Sequence, residues 1–336
     1  MTSLAEKGGA GFEGIRLLLC ENPLPPLPEA IAAARDALPL GNLYTEAHSA
    51  PLRRRIAEDL RVPERLVHVN AGSELILRQL FDRFGQNVHL LTPTYPLFPE
   101  IARRSTETRL RPEDDFAFDL DRIEIPDGTT MVVIVNPNNP NGGVFDMRPL
   151  PGLLRRHPRV RFLVDEAFIG LAGDSVADLV PGHANLLVTR TLSKAHSLAG
   201  FRVGYAVLPE PVSDDLNRNN DAYPLARPSQ AAALATLANE AAIRARAVEL
   251  REWTEDLAAR LRALGVRTFP TRTYFFLADF APRNAIRIAE RLREHGILVK
   301  PLDDPRLGPG MMRITTALPD DNRRVVAALA KVLDDA

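Results

Sequence analysis

The stretch Thr191-Leu192-Ser193-Lys194, followed by Gly200-Phe201-Arg202-Val203-Gly204, decides how the rest of this chain is read. A lysine amine condenses with a carbonyl, exchanges that bond for an incoming amine, and is then left beside the bound substrate as a general base. The hydroxyls of Thr191 and Ser193 and the guanidinium of Arg202 suit a phosphate dianion, because charge-assisted donors to phosphate are short and, for arginine, often bidentate. Taken alone, the same residues also read as a surface lysine followed by a strand arginine.

Upstream motifs bear on that choice. Val164-Asp165-Glu166-Ala167-Phe168 closes a very apolar run, where an unpaired carboxylate is costly. Asp165 therefore implies either a cationic partner or a cap on the next turn. Val135-Asn136-Pro137-Asn138-Asn139-Pro140-Asn141-Gly142-Gly143 follows another apolar run; its prolines fix the backbone while asparagine side chains point inward, and Asn139 suits a ligand oxygen. Pro93-Thr94-Tyr95-Pro96 offers a tyrosine that stacks on a flat heteroaromatic ring or packs in the core. Gly72-Ser73-Glu74 opens a helix, either as a phosphate-binding positive end or as an ordinary cap.

Short aliphatic runs alternate with helical periodicity through the first two thirds, as in α/β units with a mainly parallel sheet. Strands are predicted at Val88–Leu91, Met131–Val135, Arg161–Val164 and Leu186–Thr189, and a helix at Glu74–Phe84 stopped by Gly85. The motifs fall just past strand C-termini, where open α/β sheets bind ligands. After Pro228 come Ala-rich helices at Ser229–Asn239 and Ile243–Leu264, then strands near Tyr274–Ala278, Ile297–Lys300 and Met311–Thr315, a helix at Asn284–His295 and a terminal helix. The proline-rich Pro23–Pro28 should be extended. These features divide the chain into an N-terminal segment over 1–40, a large domain over 41–227 and a small α+β domain over 228–336.

Composition bounds the function. A chain of 336 residues with 45% apolar and 25% charged residues buries a sizeable core. A formal charge of -1 and a pI near 6.7 provide no basic field for nucleic acid or anionic membrane; Arg53-Arg54-Arg55 reads as a solvated helix face. One cysteine, Cys20, excludes an internal disulfide framework. There is no zinc spacing, no signal-peptide core in Met1–Cys20 and no membrane-length apolar run. A cytoplasmic protein without a metal is expected.

The order of motifs, from helix-start Gly-Ser through Tyr, the Asn-Pro loop and the strand-end Asp to Ser-Lys and Arg, is similar to that of fold-type I pyridoxal-phosphate enzymes. From Glu21-Asn22-Pro23 to the last helix, the chain resembles the histidinol-phosphate aminotransferase family of class I/II aminotransferases, with the threonine-phosphate decarboxylases as close relatives. The resemblance implies pyridoxal 5'-phosphate as cofactor and a large domain with a mainly parallel seven-stranded sheet beside a smaller α+β domain. It implies Lys194 as the Schiff-base lysine, Asp165 as partner of the pyridinium nitrogen, Asn139 and Phe168 near the phenolic oxygen, and Tyr95 over the ring. Gly72, Ser73, Glu74, Thr191, Ser193 and Arg202 would hold the phosphate. Tyr44 matches a tyrosine that reaches the neighbouring subunit's cofactor, which implies a homodimer with shared sites. Arg313 matches the clamp on the substrate α-carboxylate, with Lys300, Tyr223 and Asn22 as further substrate-binding residues.

Some positions depart from the family pattern. Phe168 stands where many of these aminotransferases have tyrosine, and phenylalanine is common there in the decarboxylase-like sequences. Tyr274 replaces a usual asparagine, and Lys300 takes the place of an arginine thirteen residues before Arg313. A shorter N-terminal arm than in longer relatives is expected, which would count against histidinol phosphate itself. The expected activity is transfer of an α-amino group between an amino acid and a 2-oxo acid. Decarboxylation of an amino acid and a non-catalytic cofactor-binding homologue are the alternatives.

Overall fold

The computed structural model describes residues 12–334; the start of the charged N-terminal stretch, residues 1–11, lies outside the described residues. Two compact units are present. The larger comprises Pro26–Asn139 and Val144–Arg244; the smaller comprises the described residues up to Pro25, Pro140–Gly143 and the chain from Ala245.

The larger unit is built on a seven-stranded sheet. Its order is Val67–Asn70, Gly204–Val207, Leu186–Thr191, Arg161–Asp165, Met131–Val135, Val88–Thr92 and Ser105–Arg109. Gly204–Val207 runs antiparallel to both neighbours, and the remaining adjacent pairs are parallel. Met131–Val135 is buried throughout, as expected for a parallel strand covered on both faces. The helix Ser73–Phe84 lays Ile76, Leu77, Leu80 and Phe81 on one face of the sheet, against Val88, Val133, Leu163 and Leu187. Those positions follow the 3.6-residue period. The helix ends where the Gly85 N–H donates to the Phe81 carbonyl at 2.7 Å. In register, Val135 lies opposite Asp165 and Asp165 opposite Thr189, so the strand C-termini that carry the motifs finish side by side.

The smaller unit has a four-stranded antiparallel sheet in the order Lys300–Pro301, Met311–Thr315, Phe275–Asp279 and Arg267–Thr268. A parallel ribbon joins Ile15–Arg16 to Ile297–Leu298. The helices Ala285–Glu294 and Pro319–Asp334 bury Ile288, Leu292, Val325 and Leu329 in its core, with Phe276 and Ile314. Asn284 caps the first of them, its side-chain oxygen accepting from the Ile286 and Arg287 N–H groups.

Two expectations are adjusted. The run Ile297–Lys300 divides at Val299, because its first half pairs with Ile15–Arg16 and Lys300–Pro301 pairs with Met311–Thr315. Pro28 is not extended but begins the helix Pro28–Ala37, where a proline's missing N–H costs nothing. That helix packs on Arg227–Leu237, so both belong to the larger unit. The compact units divide after Pro25, on either side of Pro140–Gly143 and within the helix Glu240–Ala263.

Candidate active site

In the larger unit the strand ends bring the sequence-singled residues into one neighbourhood. Asp165 ends its strand and is buried. Its carboxylate accepts from Thr189 Oγ1 at 3.1 Å and from the Ala167 N–H. Burial pushes its pKa up to about 6 despite those two donors and the nearby charge of Lys194. Both readings of the Asp165 motif thus have a counterpart: it caps the following turn, and it remains a carboxylate short of positive charge.

Lys194 is half-buried, and its Nζ lies 5.5 Å from the centroid of the Phe168 ring, an attractive cation–π arrangement. Thr191 and Ser193 are buried, with Thr191 Oγ1 donating to Ser193 Oγ at 2.8 Å and accepting from the Ser193 N–H at 3.1 Å. Gly72 immediately precedes the helix Ser73–Phe84 at φ 91°, and a Cβ there would stand 2.4 Å from Arg202 Nη2. Only glycine lets that guanidinium lie against the helix start. Gly204 permits the same approach from the neighbouring strand, since a Cβ on it would meet the Ser73 backbone nitrogen at 2.1 Å. The helix N-terminus, two hydroxyls and an arginine therefore share one edge of the sheet.

The polar loop after Met131–Val135 is buried at Asn136, Asn138 and Asn139. Asn136 Oδ1 accepts from the Phe145 N–H at 2.9 Å, while Asn138 Nδ2 donates to the Pro93 carbonyl at 3.1 Å, tying this loop to the one that carries Tyr95. Tyr95 meets Phe98 edge-on at 5.7 Å and packs on the core. Glu74 differs from expectation: its carboxylate is held by Arg78 one turn on, at 2.8 Å, so only its backbone remains to face a phosphate. Tyr44, 77% exposed, stacks on Tyr223 at 4.4 Å.

The remaining predicted residues belong to the smaller unit. Arg313 is buried, donates from Nη2 to the Leu18 carbonyl at 2.6 Å and packs over the Phe275 ring at 5.7 Å. Lys300 is its cross-strand partner, so two cations occupy neighbouring positions on one face of the sheet, where like charges repel without an anion. Asn22 Oδ1 accepts from the Leu24 N–H at 3.0 Å.

The sequence reading missed a buried ion pair behind Asp165. Glu166, 1% exposed, accepts from Arg190 Nε at 2.7 Å, from Ser175 Oγ at 2.8 Å and from the Val176 N–H at 2.7 Å. Arg190 Nη1 donates in turn to the Tyr205 hydroxyl at 3.3 Å. Hydrogen-bonded on both sides, such a pair holds its strand ends in one arrangement. It lines a cavity of about 460 Å³ together with Thr191, His196 and Glu240. The signal was visible, since Glu166 and Arg190 each adjoin a motif residue, but their pairing across strands was not. Among the described residues no cluster of His, Cys, Asp and Glu has metal-binding geometry, and no helix is long and apolar enough to cross a membrane.

The family model described as Aminotransferase class I and II matches residues 14–329. A histidinol-phosphate aminotransferase of Gluconacetobacter diazotrophicus is 33% identical over 95% of this chain and 91% of its own. Among solved structures, histidinol-phosphate aminotransferase from Sinorhizobium meliloti in complex with pyridoxal-5'-phosphate superposes with a TM-score of 0.86 at 23% identity, covering 96% of this chain and 91% of that one. L-threonine-O-3-phosphate decarboxylase from Porphyromonas gingivalis gives 0.84 at 21% identity, covering 95% and 99%.

The residues of the larger unit fit pyridoxal phosphate. The carboxyl of Asp165, raised by burial, is short of a cation such as a protonated ring nitrogen supplies. The edge kept open by Gly72 and Gly204 gathers the donors that a phosphate dianion requires.

Proposed function

The chain belongs to the class I and II aminotransferases, a pyridoxal-phosphate-dependent family, and on that basis we propose a histidinol-phosphate aminotransferase-like enzyme that moves an α-amino group between an amino acid and a 2-oxo acid. The buried, electron-rich carboxyl of Asp165 beside Lys194 carries this reading. When bound, the cofactor supplies an electrophilic carbon and an electron-withdrawing ring that acidify the substrate Cα. Asp165 keeps a proton on the ring nitrogen, and Thr189 holds the carboxylate in place. Lys194 Nζ anchors the cofactor and then takes the Cα proton. Thr191, Ser193, Arg202 and the start of the helix Ser73–Phe84 bind the phosphate, Asn139 and Tyr95 border the ring, and Arg313 with Lys300 and Asn22 binds the anionic substrate.

The working enzyme is a cytosolic homodimer. Tyr44 and Tyr223, stacked in solvent, supply the aromatic surface that a second copy covers, and Tyr44 reaches that copy's cofactor. A single buried cysteine suits a reducing compartment. Phe168 favours a second reading, decarboxylation, because it replaces the hydroxyl of the aminotransferase tyrosine with an apolar face against Lys194.

Borohydride reduction of the holoenzyme should abolish its visible band and leave the cofactor on the peptide that contains Lys194, and Lys194→Ala should yield no adduct. An adduct elsewhere would refute the anchor. A panel of phosphorylated, aromatic and basic amino acids, followed for both 2-oxo acid and carbon dioxide, separates the two reactions: carbon dioxide released with each turnover would replace transamination with decarboxylation.

A further inference from the structure

In the smaller unit, residues 17–22 form a strap held from three directions. Thr315 Oγ1 donates to the Leu17 carbonyl at 2.9 Å, Arg313 Nη2 to the Leu18 carbonyl at 2.6 Å, and the Tyr274 phenol to the Cys20 carbonyl at 2.8 Å. Arg313 and Thr315 share the strand Met311–Thr315, and Tyr274 immediately precedes its partner strand Phe275–Asp279. Flanking contacts close the strap: the Leu17 N–H donates to the Leu298 carbonyl at 2.7 Å, and Arg16 grips Glu21 through Nε and Nη2 at 3.1 and 2.8 Å.

Tyr274 is fully buried, so its hydroxyl is a polar group that the core tolerates only with a partner. Cys20, 1% exposed, stands at φ 49°, a left-handed conformation that a residue with a Cβ adopts at a cost. The phenol satisfies the carbonyl of that strained residue. Phenylalanine would fill nearly the same volume and leave the carbonyl buried without this donor. The hydroxyl therefore contributes something that packing alone does not require.

We propose that Tyr274 is a positioning residue for substrate recognition. By holding the Cys20 carbonyl it fixes the strap, and the strap fixes the guanidinium plane of Arg313 through Leu18 while presenting Asn22. This rests on the reading of Arg313 as the α-carboxylate clamp. A bidentate clamp tolerates little rotation, so a loosened strap weakens carboxylate binding before it affects the cofactor.

Cys20 is the only cysteine in the chain, so thiol labelling of the holoenzyme reads opening of the strap directly. Tyr274→Phe should raise the labelling rate about five- to tenfold, the effect of one buried hydrogen bond. It should raise the half-saturating concentration of the amino acid that the substrate panel shows to be turned over by a similar factor while changing kcat little. Arg313→Lys should raise that concentration further, and in the double variant the two effects should not multiply. Unaltered labelling in Tyr274→Phe overturns the anchoring role, and faster labelling with unaltered saturation by that amino acid overturns the coupling to Arg313. If Arg313→Lys leaves that saturation unchanged, the clamp reading fails instead, while labelling still judges Tyr274. Should Tyr274→Phe fail to fold, Thr315→Val removes another anchor of the strap, and the same rise in labelling and in half-saturation is expected; its absence overturns the proposal.

Discussion

Replacing Asp165 with asparagine should stabilise the cofactor-free protein and weaken the loaded one. Burial pushes the Asp165 carboxyl from 3.8 up to about 6, against the pull of Thr189, the Ala167 N–H and Lys194. The folded state therefore holds this proton more tightly than the unfolded chain, and stability falls as pH rises from about 4 to about 6. At about 1.4 kcal/mol for each tenfold change in proton affinity, holding the carboxylate ionised in the folded protein costs about 3 kcal/mol at neutral pH, a cost relieved in acid. Asparagine removes the charge and keeps an acceptor for Thr189. With about 2 cal/mol/K of unfolding entropy per residue, that difference corresponds to about 4 °C in Tm for a chain of this length. Thermal unfolding of both cofactor-free proteins should give curves that converge near about pH 4 and separate above about pH 6, with the variant the more stable. Pyridoxal phosphate should reverse the order at neutral pH, because the ionised aspartate then has a cation beside it. A variant that melts at or below the wild type at neutral pH without cofactor, or a gap that acid does not close, would refute an uncompensated carboxylate at this position.

Gly72→Ala places a Cβ where Arg202 Nη2 now lies, at a backbone angle that disfavours side chains. Displacing that guanidinium should weaken pyridoxal-phosphate binding about 10- to 100-fold, the worth of a charge-assisted contact, and leave pyridoxal, which lacks the phosphate, nearly unaffected; equal losses for both in equilibrium titration would sink the assignment. For the shared site, a heterodimer of one Tyr44→Phe and one Lys194→Ala subunit should keep one intact site and half the wild-type turnover. Turnover at half that of the Tyr44→Phe homodimer would place Tyr44 in its own subunit's site.

Much of this arrangement was legible because it is local. Apolar runs ended by Asn-Pro, Asp-Glu or Thr-Leu-Ser-Lys announce strands whose C-termini carry the proposed site residues, and Gly85 announces a helix end that the structure places at the same residue. What was not legible depends on pairing between distant parts of the chain. Gly204–Val207 enters the sheet antiparallel between Val67–Asn70 and Leu186–Thr191, and nothing in its four residues specifies those neighbours. The tight approach of Gly204 to Ser73 follows from that insertion. Glu166 and Arg190 likewise meet only once the strands Arg161–Asp165 and Leu186–Thr191 lie side by side. Tyr274 was visible as a departure from its relatives, but its partner is a carbonyl 254 residues away.

The residues proposed to hold the cofactor and acidify Cα, namely Lys194, Asp165, Thr191, Ser193 and Arg202, lie in the larger unit, whereas Arg313, Lys300 and Asn22 lie in the smaller one. The bond at Cα that breaks is chosen by how the substrate carboxylate is held, because the same electron-withdrawing ring activates proton loss and decarboxylation alike. On the proposed roles, reaction choice would be carried by the clamp more than by the lysine. Phe168 bears on it only indirectly, through its ring against Lys194 Nζ. In the proposed role Arg313 would bear on it directly; its Nη2 donates to the Leu18 carbonyl, in the strap where the Tyr274 phenol donates to the Cys20 carbonyl. A substitution at Tyr274 should therefore change the ratio of 2-oxo acid to carbon dioxide more than one at Phe168, although Tyr274 is none of the residues proposed to touch cofactor or substrate.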